Sequence, residues 1–190
     1  MTQTPSEEFW VFGYGSLIWR PGFDYLERLP AKLTGLHRAL CVYSFVHRGT
    51  PEQPGLVLGL DRGGACRGVA YSVDVRRQDE IVAYLREREQ VTSVYLETFR
   101  RVTLLTPEER QVRALVYCVD RSHAQYAGRL SLDAQAHLVR QGHGRSGNNR
   151  DYVLSTVEAL EALGCRDRDL HLLAQRLHGA PDHKAPAASV

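Results

Sequence analysis

The 190-residue sequence has few features that would indicate a metalloprotein, a membrane protein or a nucleic-acid-binding protein. Its four cysteines lie far apart, without a Cys-x-x-Cys pair, and its eight histidines form no His-Glu-x-x-His motif. Disulfide bonds and a zinc site are therefore disfavoured, whereas free thiols in a reducing cytoplasm are favoured. No segment is apolar over a length that could span a bilayer. A net charge of +2 does not require a nucleic acid or an anionic membrane as a partner.

The length and composition indicate one globular domain. The chain is 43% hydrophobic and 24% charged, which is typical of soluble proteins, and it is long enough to enclose a core. Residues 1–8 lack the basic start and apolar run of a signal peptide, so a cytoplasmic location is expected. We expect a single domain over residues 9–178, with residues 1–8 and the Ala- and Pro-rich residues 179–190 as flexible termini.

Strand-like segments fill the first two thirds of the chain, and helical segments follow. The candidate strands are Phe9–Phe12, Ala39–Val46, Leu56–Leu60, Gly68–Val73, Tyr95–Leu105 and Val112–Val119. The candidate helices are Arg77–Glu89, Leu132–Arg140 after a Ser131 cap, a helix from Asn148 or Asn149 to Leu163, and Leu170–Leu177 after Asp167. Strands followed by helices, without strict alternation, predict an α+β fold with a largely antiparallel sheet or a small barrel.

The helix Arg77–Glu89 carries a carboxylate on its apolar side. At 100° per residue, Ile81 and Val82 lie within about 60° of Leu85 and define a face that packs against the rest of the protein. Glu89 lies at about 40° on that face, whereas Glu87 lies at about 200° and faces water. A buried carboxylate has a raised pKa, which suits general acid–base catalysis near neutral pH. The alternative is a structural ion pair with Arg86, Arg88 or Arg100.

Three further segments could bind a ligand. Gly13-Tyr14-Gly15-Ser16 follows the first strand, and its glycines allow a sharp turn with accessible backbone amides, although an ordinary loop has the same composition. Gly142–Gly147 has the form G-x-G-x-x-G and precedes a helix, but it follows a helical stretch rather than a strand, so at most it binds an anion. Arg48 follows a strand and could pair with a substrate carboxylate, or could simply be solvated.

Taken in order, these motifs resemble the ChaC family of glutathione-specific γ-glutamylcyclotransferases. The similar segments are Val11–Trp19, Arg48–Pro51, Gly68–Tyr71, Tyr84–Glu89 and a Gly-x-Ser-Gly-x-Asn-x-x-Tyr motif from Gly144 to Tyr152. They span roughly Phe9 to Leu177, nearly the whole chain. The sequence departs from many eukaryotic members at Tyr95, which lies two residues later than the family's tyrosine, and at Val46, where the family has an aspartate.

The resemblance implies the fold of the γ-glutamylcyclotransferase-like superfamily, a small mixed β-barrel with packed helices. It implies that Glu89 is the catalytic general acid/base. It also implies that the backbone amides of the glycine turn hold the γ-glutamyl group of the substrate. The substrate-binding residues expected on this basis are Tyr14, Gly15, Ser16, Leu17, Arg48, Tyr95 and Tyr152.

The expected reaction is cleavage of glutathione to 5-oxoproline and Cys-Gly, by attack of the γ-glutamyl α-amine on its own γ-carbonyl. This reaction requires neither a metal nor another cofactor, and its only expected partner is the small-molecule substrate. Two alternatives remain open: a cyclotransferase for other γ-glutamyl amines or dipeptides, and a non-catalytic anion-binding module. The sequence does not indicate an oligomeric state.

Overall fold

The computed structural model of the protein describes residues 8–89 and 93–179. The expected flexible termini, residues 1–8 and 179–190, lie outside the described residues except for Glu8 and Gly179. Within the described ranges, no helix has both the length and the apolar character needed to cross a membrane.

Five strands form a closed barrel in the order β1-β3-β2-β4-β5. They are β1 (Phe9–Gly13), β2 (Glu27–Ser44), β3 (Gly55–Val73), β4 (Tyr95–Leu104) and β5 (Gln111–Val119). All neighbouring pairs are antiparallel except β1 and β5, which are parallel, and a short pairing of Ala31 with Leu104 and Lys32 with Thr103 joins β2 to β4. The α+β prediction with a small mixed barrel is therefore confirmed.

Four helices accompany the barrel: α1 (Gln78–Glu89), α2 (Leu132–Gln141), α3 (Asn149–Ala162) and α4 (Arg168–His178). The predicted caps are present. Ser131, Asn148 and Asp167 each accept a hydrogen bond from a first-turn amide of the helix that follows. A two-stranded hairpin of β6 (His143–Gly144) and β7 (Gly147–Asn148) lies between α2 and α3.

The strand predictions between residues 39 and 73 are wrong in their boundaries. Only residues 39–44 of the predicted Ala39–Val46 belong to the 18-residue β2, which ends at Ser44. Leu56–Leu60 and Gly68–Val73 both belong to the 19-residue β3. These strands pair from Glu27–Ser72 to Ser44–Gly55, with register shifts between Thr34 and Leu36 and between Leu40 and Val42. Gly35, Gly63 and Gly64 adopt positive φ, so the polar stretch bends without leaving the sheet.

The core fills the barrel and the space beneath the helices. The largest fully buried side chains include Trp10, Tyr71, Tyr117 and Leu115 from the strands and Leu85 from α1. Because Leu85 is fully buried, the apolar face of α1 packs as predicted, and this packing fixes the orientation of the last residues of that helix.

All four cysteines are free thiols.

Candidate active site

A cavity of about 510 Å³ brings together every site residue predicted from the sequence. Its walls come from the turn after β1, the end of β2 and the loop that follows it, the start of β3, the last turn of α1, the start of β4, and α3. The predicted residues in this lining are Tyr14, Gly15, Ser16, Leu17, Arg48, Glu89, Tyr95 and Tyr152.

Glu89 is the last residue of α1, and its side chain is 18% exposed and lines the cavity. The helical periodicity explains this position, since Ile81 and Leu85 on the same face are 2% and 0% exposed. Burial raises the pKa of the Glu89 carboxyl, and the nearby Arg88 guanidinium partly opposes this effect. Glu87 is exposed, as the periodicity predicts, although it also borders the cavity.

The alternative role for Glu89 is a structural ion pair with one of three nearby arginines. Arg86 instead forms a bidentate pair with Glu97, with both nitrogen–oxygen distances at 2.8 Å. Arg100 lies close enough to Cys118 to oppose the rise in the pKa of that thiol that burial causes. Arg88 does approach Glu89, with its Nε 3.4 Å from Oε1. Within residues 8–89 and 93–179, the carboxylate therefore has one close cation, which belongs to its own helix.

Three buried tyrosines line the same cavity as Glu89. Burial, followed by the proximity of ionisable neighbours that include Glu89, raises the pKa of Tyr14 and Tyr95 well above the ordinary tyrosine value, and burial also raises that of Tyr152. All three hydroxyls are therefore protonated at neutral pH. They provide neutral polar groups beside Glu89 and no competing negative charge.

Tyr95 and Tyr152 are both bound to the backbone of Leu58. The Tyr95 hydroxyl donates to the Leu58 carbonyl at 2.7 Å, and the Leu58 amide donates to the Tyr152 hydroxyl at 3.0 Å. The Tyr152 hydroxyl proton is not used in this second bond, so it can donate to a ligand. Tyr95 thus reaches the cavity wall despite its displacement in the sequence.

The glycine turn lines the cavity beside the Tyr152 hydroxyl. Ser16–Ile18 is a single 3₁₀ turn, in which the Ile18 amide donates to the Gly15 carbonyl at 2.9 Å. The amides of Ser16 and Leu17 come earlier in the chain than the Ile18 amide, so the hydrogen bond that closes the turn does not use them as donors. A Cβ on Gly15 would lie 3.6 Å from the Tyr152 hydroxyl and 3.5 Å from Leu58 Cδ1. Gly15 has a φ of −130°, and these Cβ distances are ordinary van der Waals contacts, so a side chain larger than a methyl group is needed to fill the space in front of the Tyr152 hydroxyl.

Arg48 lies on another side of the cavity, stacked on Tyr152. Its guanidinium carbon is 5.3 Å from the centroid of the tyrosine ring, and its Nη1 donates to the Asn148 carbonyl at 3.1 Å. A guanidinium has five N–H donors, so donors remain for a ligand. Arg20 also lines the cavity and lies close enough to affect the pKa of Arg48. This side of the cavity is therefore cationic.

The G-x-G-x-x-G segment is the hairpin of β6 and β7, and its geometry disfavours anion binding. The amides of Arg145 and Ser146 donate to the carbonyls of Val46 and His47 at 2.8 and 2.9 Å. A Cβ on Gly144 would lie 2.5 Å from the His47 carbonyl carbon. The glycines are required because the hairpin packs against the backbone that carries Arg48.

Sequence reasoning missed several residues of the cavity. Arg20 and Tyr117 line it, and Tyr117 donates from its hydroxyl to Glu97 at 3.2 Å. Arg88 was considered only as a partner of Glu89, although it also contacts the glycine turn. No pattern of neighbouring residues predicts these roles, since each role depends on contacts between segments that are distant in the sequence.

Residues 9–178 match the model of the ChaC-like protein family. The glutathione-specific γ-glutamylcyclotransferase of Escherichia coli (strain K12) is 35% identical over 162 residues, which cover 85% of this chain and 69% of the relative. γ-Glutamylcyclotransferase 2-3 of Arabidopsis thaliana is 35% identical over 175 residues, which cover 88% and 87% of the two chains. A crystal structure of a yeast γ-glutamyl cyclotransferase specific to glutathione superposes with a TM-score of 0.83 at 25% identity, covering 90% of this chain and 95% of that one.

Proposed function

The chain belongs to the ChaC-like protein family, and we propose that it cleaves glutathione to 5-oxoproline and Cys-Gly, with Glu89 as the general acid/base. The observation that carries the proposal is the position of Glu89, a buried carboxylate that lines the same cavity as the glycine turn. The volume of about 510 Å³ lies in the range of small-molecule sites, which span roughly 300–1,000 Å³.

The chemistry requires a base more than a nucleophile, because glutathione carries its own. The γ-glutamyl α-ammonium must lose a proton before its nitrogen can attack the γ-carbonyl carbon. Glu89 accepts that proton, the new C–N bond closes the five-membered ring, and the carbonyl oxygen becomes an oxyanion. When the oxyanion collapses, the bond to the cysteinyl nitrogen breaks, and Glu89 returns its proton to that nitrogen. The ring nitrogen still carries two hydrogens after the attack, and it gives one of them to the released amine or to water. The products are then a neutral lactam and the ammonium form of Cys-Gly, so the four protons of the two nitrogens are conserved.

The surroundings of Glu89 suit both charge states of this cycle. The raised pKa of the carboxyl makes it a better proton acceptor than an exposed glutamate. The amides of the Ser16–Leu17 turn are suited to the substrate's α-carboxylate or to the developing oxyanion. The protonated Tyr152 hydroxyl, held by the Leu58 amide, is a further donor that needs no rearrangement.

The cationic side of the cavity is suited to the other end of glutathione. The glycyl carboxylate is separated from the γ-carbonyl by two residues, which extend over about 7 Å. Arg48 has guanidinium donors available and is oriented by its stacking on Tyr152. Arg48, assisted by Arg20, therefore favours a γ-glutamyl peptide with a terminal carboxylate over a simple γ-glutamyl amine.

We place this reaction in the cytoplasm, with the small molecule as the only partner that it needs. Glutathione keeps cytosolic thiols reduced, so the substrate is abundant there, and the four free cysteines are compatible with that environment.

The test is incubation of the purified protein with glutathione, followed by detection of 5-oxoproline and Cys-Gly. γ-Glutamyl dipeptides and γ-glutamyl amines are compared at equal concentration. Equal turnover of amines that lack a carboxylate would favour the broader cyclotransferase and refute the role of Arg48. Binding of glutathione without any product would favour a binding module, and release of free glutamate would indicate a hydrolase.

A further inference from the structure

Arg88 connects the last turn of α1 to the segment that follows β1. Its Nη2 donates to Ser16 Oγ at 2.8 Å, and its Nη1 donates to the carbonyls of Arg20 and Pro21 at 2.6 and 3.0 Å. The Tyr84 hydroxyl lies 3.1 Å from the same Nη1. One guanidinium therefore contacts Ser16, Arg20 and Pro21, which lie about 70 residues earlier in the sequence.

The same side chain also borders the carboxylate. Arg88 Nε is 3.4 Å from Glu89 Oε1, and the two side chains are 19% and 18% exposed. Ser16 begins the 3₁₀ turn that lines the cavity, so Arg88 contacts both the proposed substrate-binding turn and the proposed base. A planar guanidinium with fixed donors can hold two such elements at one separation, whereas a lysine ammonium cannot.

We propose that Arg88 is a positioning residue, which holds the Glu89 carboxylate and the Ser16 turn at the separation that proton transfer from the substrate amine requires. This inference rests on the proposed function. It assigns no bond between Arg88 and the substrate, because the donors of Arg88 are directed at protein atoms.

A positioning role has kinetic consequences that differ from those of substrate binding. A small misplacement of a reacting group can cost about 10²-fold in rate while the substrate still binds. Loss of Arg88 should therefore lower kcat more than it raises KM. Loss of Arg88 should also change the pH dependence of the rate, since the guanidinium partly opposes the rise in the pKa of Glu89 that burial causes.

The sign of that change follows from the groups around Glu89. Apart from Arg88, the ionisable groups of the described residues whose pKa responds to this carboxylate come from other elements and are phenols: Tyr14, Tyr95, Tyr117 and Tyr152. All are neutral in the pH range of interest, so none replaces the lost cation. Without Arg88 the pKa of Glu89 rises further, and the acid limb of the pH–rate profile moves to higher pH.

The experiment compares Arg88→Lys and Arg88→Gln with Arg86→Lys as the matched control. Arg86 lies on the same helix and also forms an ion pair, but with Glu97. For each variant, kcat and KM for glutathione, the pH–rate profile and the melting temperature are measured. We expect kcat to fall by about tenfold or more in both Arg88 variants, with KM within about threefold. We expect the acid limb to move upward in Arg88→Gln, and Arg86→Lys to match the wild type.

A higher KM with unchanged kcat would overturn the inference in favour of direct substrate binding. A lower melting temperature with normal kcat and an unmoved acid limb would overturn it in favour of a purely structural role. If the Arg88 variants do not fold, Tyr84→Phe removes only one of its contacts, and unchanged kcat in that variant would also overturn the inference. Failure of the wild type to form 5-oxoproline would refute the proposed function instead.

Discussion

Replacing Glu89 with glutamine removes the proton acceptor from the cavity and keeps the size of the side chain. A general base contributes about 10²–10⁴-fold to the rate of a proton-transfer step. We therefore expect Glu89→Gln to lower kcat for glutathione by at least 10²-fold. Because the amide can still accept a hydrogen bond from the substrate ammonium, KM should change much less than kcat.

The stability of this variant should move in the opposite direction. Burial raises the pKa of Glu89 in the folded state, which means that the ionised carboxylate destabilises the fold at neutral pH. Each unit of such a rise corresponds to about 1.4 kcal/mol. This destabilisation is full above the folded-state pKa and disappears as the pH falls below the unfolded-state value. Glu89→Gln should therefore melt at the same temperature as the wild type or higher at pH 7, and the difference should vanish in acid.

The assay measures 5-oxoproline formation and thermal melting for Glu89→Gln and for Glu158→Gln. Glu158 is an exposed glutamate on α3 that does not line the cavity, so its variant should match the wild type within about 0.5 kcal/mol. In the wild type, activity should fall with decreasing pH through a pKa above the ordinary value of 4.5 for glutamate. A folded Glu89→Gln protein with wild-type kcat would refute the reasoning, and so would a stability loss with kcat preserved.

Three other outcomes follow from the geometry. Gly15→Val should weaken glutathione turnover by about tenfold or more without a large drop in melting temperature, because the added methyls fill the space in front of the Tyr152 hydroxyl; normal turnover would refute the role of the turn. Gly144→Ala should lower stability by about 1–3 kcal/mol in a denaturant titration, since its Cβ meets the His47 backbone. A chelator should leave glutathione turnover unchanged in a steady-state assay, because the proposed steps use only protein groups; a strict metal requirement would contradict the mechanism.

The features that sequence predicts well here depend on neighbours within one element. The caps Ser131, Asn148 and Asp167 follow from local hydrogen bonding, and the inward position of Glu89 follows from helical periodicity. In both cases the deciding interactions lie within about four residues along the chain. The glycine turn after β1 was also located by composition, although its assignment to a substrate depended on the family resemblance.

The features that sequence did not predict depend on pairing across the barrel. The polar stretch around Gly63 and Gly64 predicts a loop between two strands. In the structure, β2 supplies backbone hydrogen-bond partners that keep this stretch within β3. Likewise, the parallel pairing of β1 with β5 joins segments that are about 100 residues apart. Such pairings are selected by the closure of the whole sheet, so no local pattern of side chains encodes them.

The architecture of the cavity is consistent with the small number of groups that an intramolecular reaction needs. When nucleophile and electrophile belong to one substrate, the enzyme gains most by holding a bent conformer and removing one proton. In the part of the chain that the structure describes, the cavity supplies one close carboxylate–guanidinium pair, Glu89 and Arg88, and its walls include protonated tyrosines. A second anionic group at this point would compete for the substrate ammonium, and an exposed base would have a lower pKa. The fold therefore achieves its proposed chemistry by where it buries one charge rather than by assembling a nucleophilic triad.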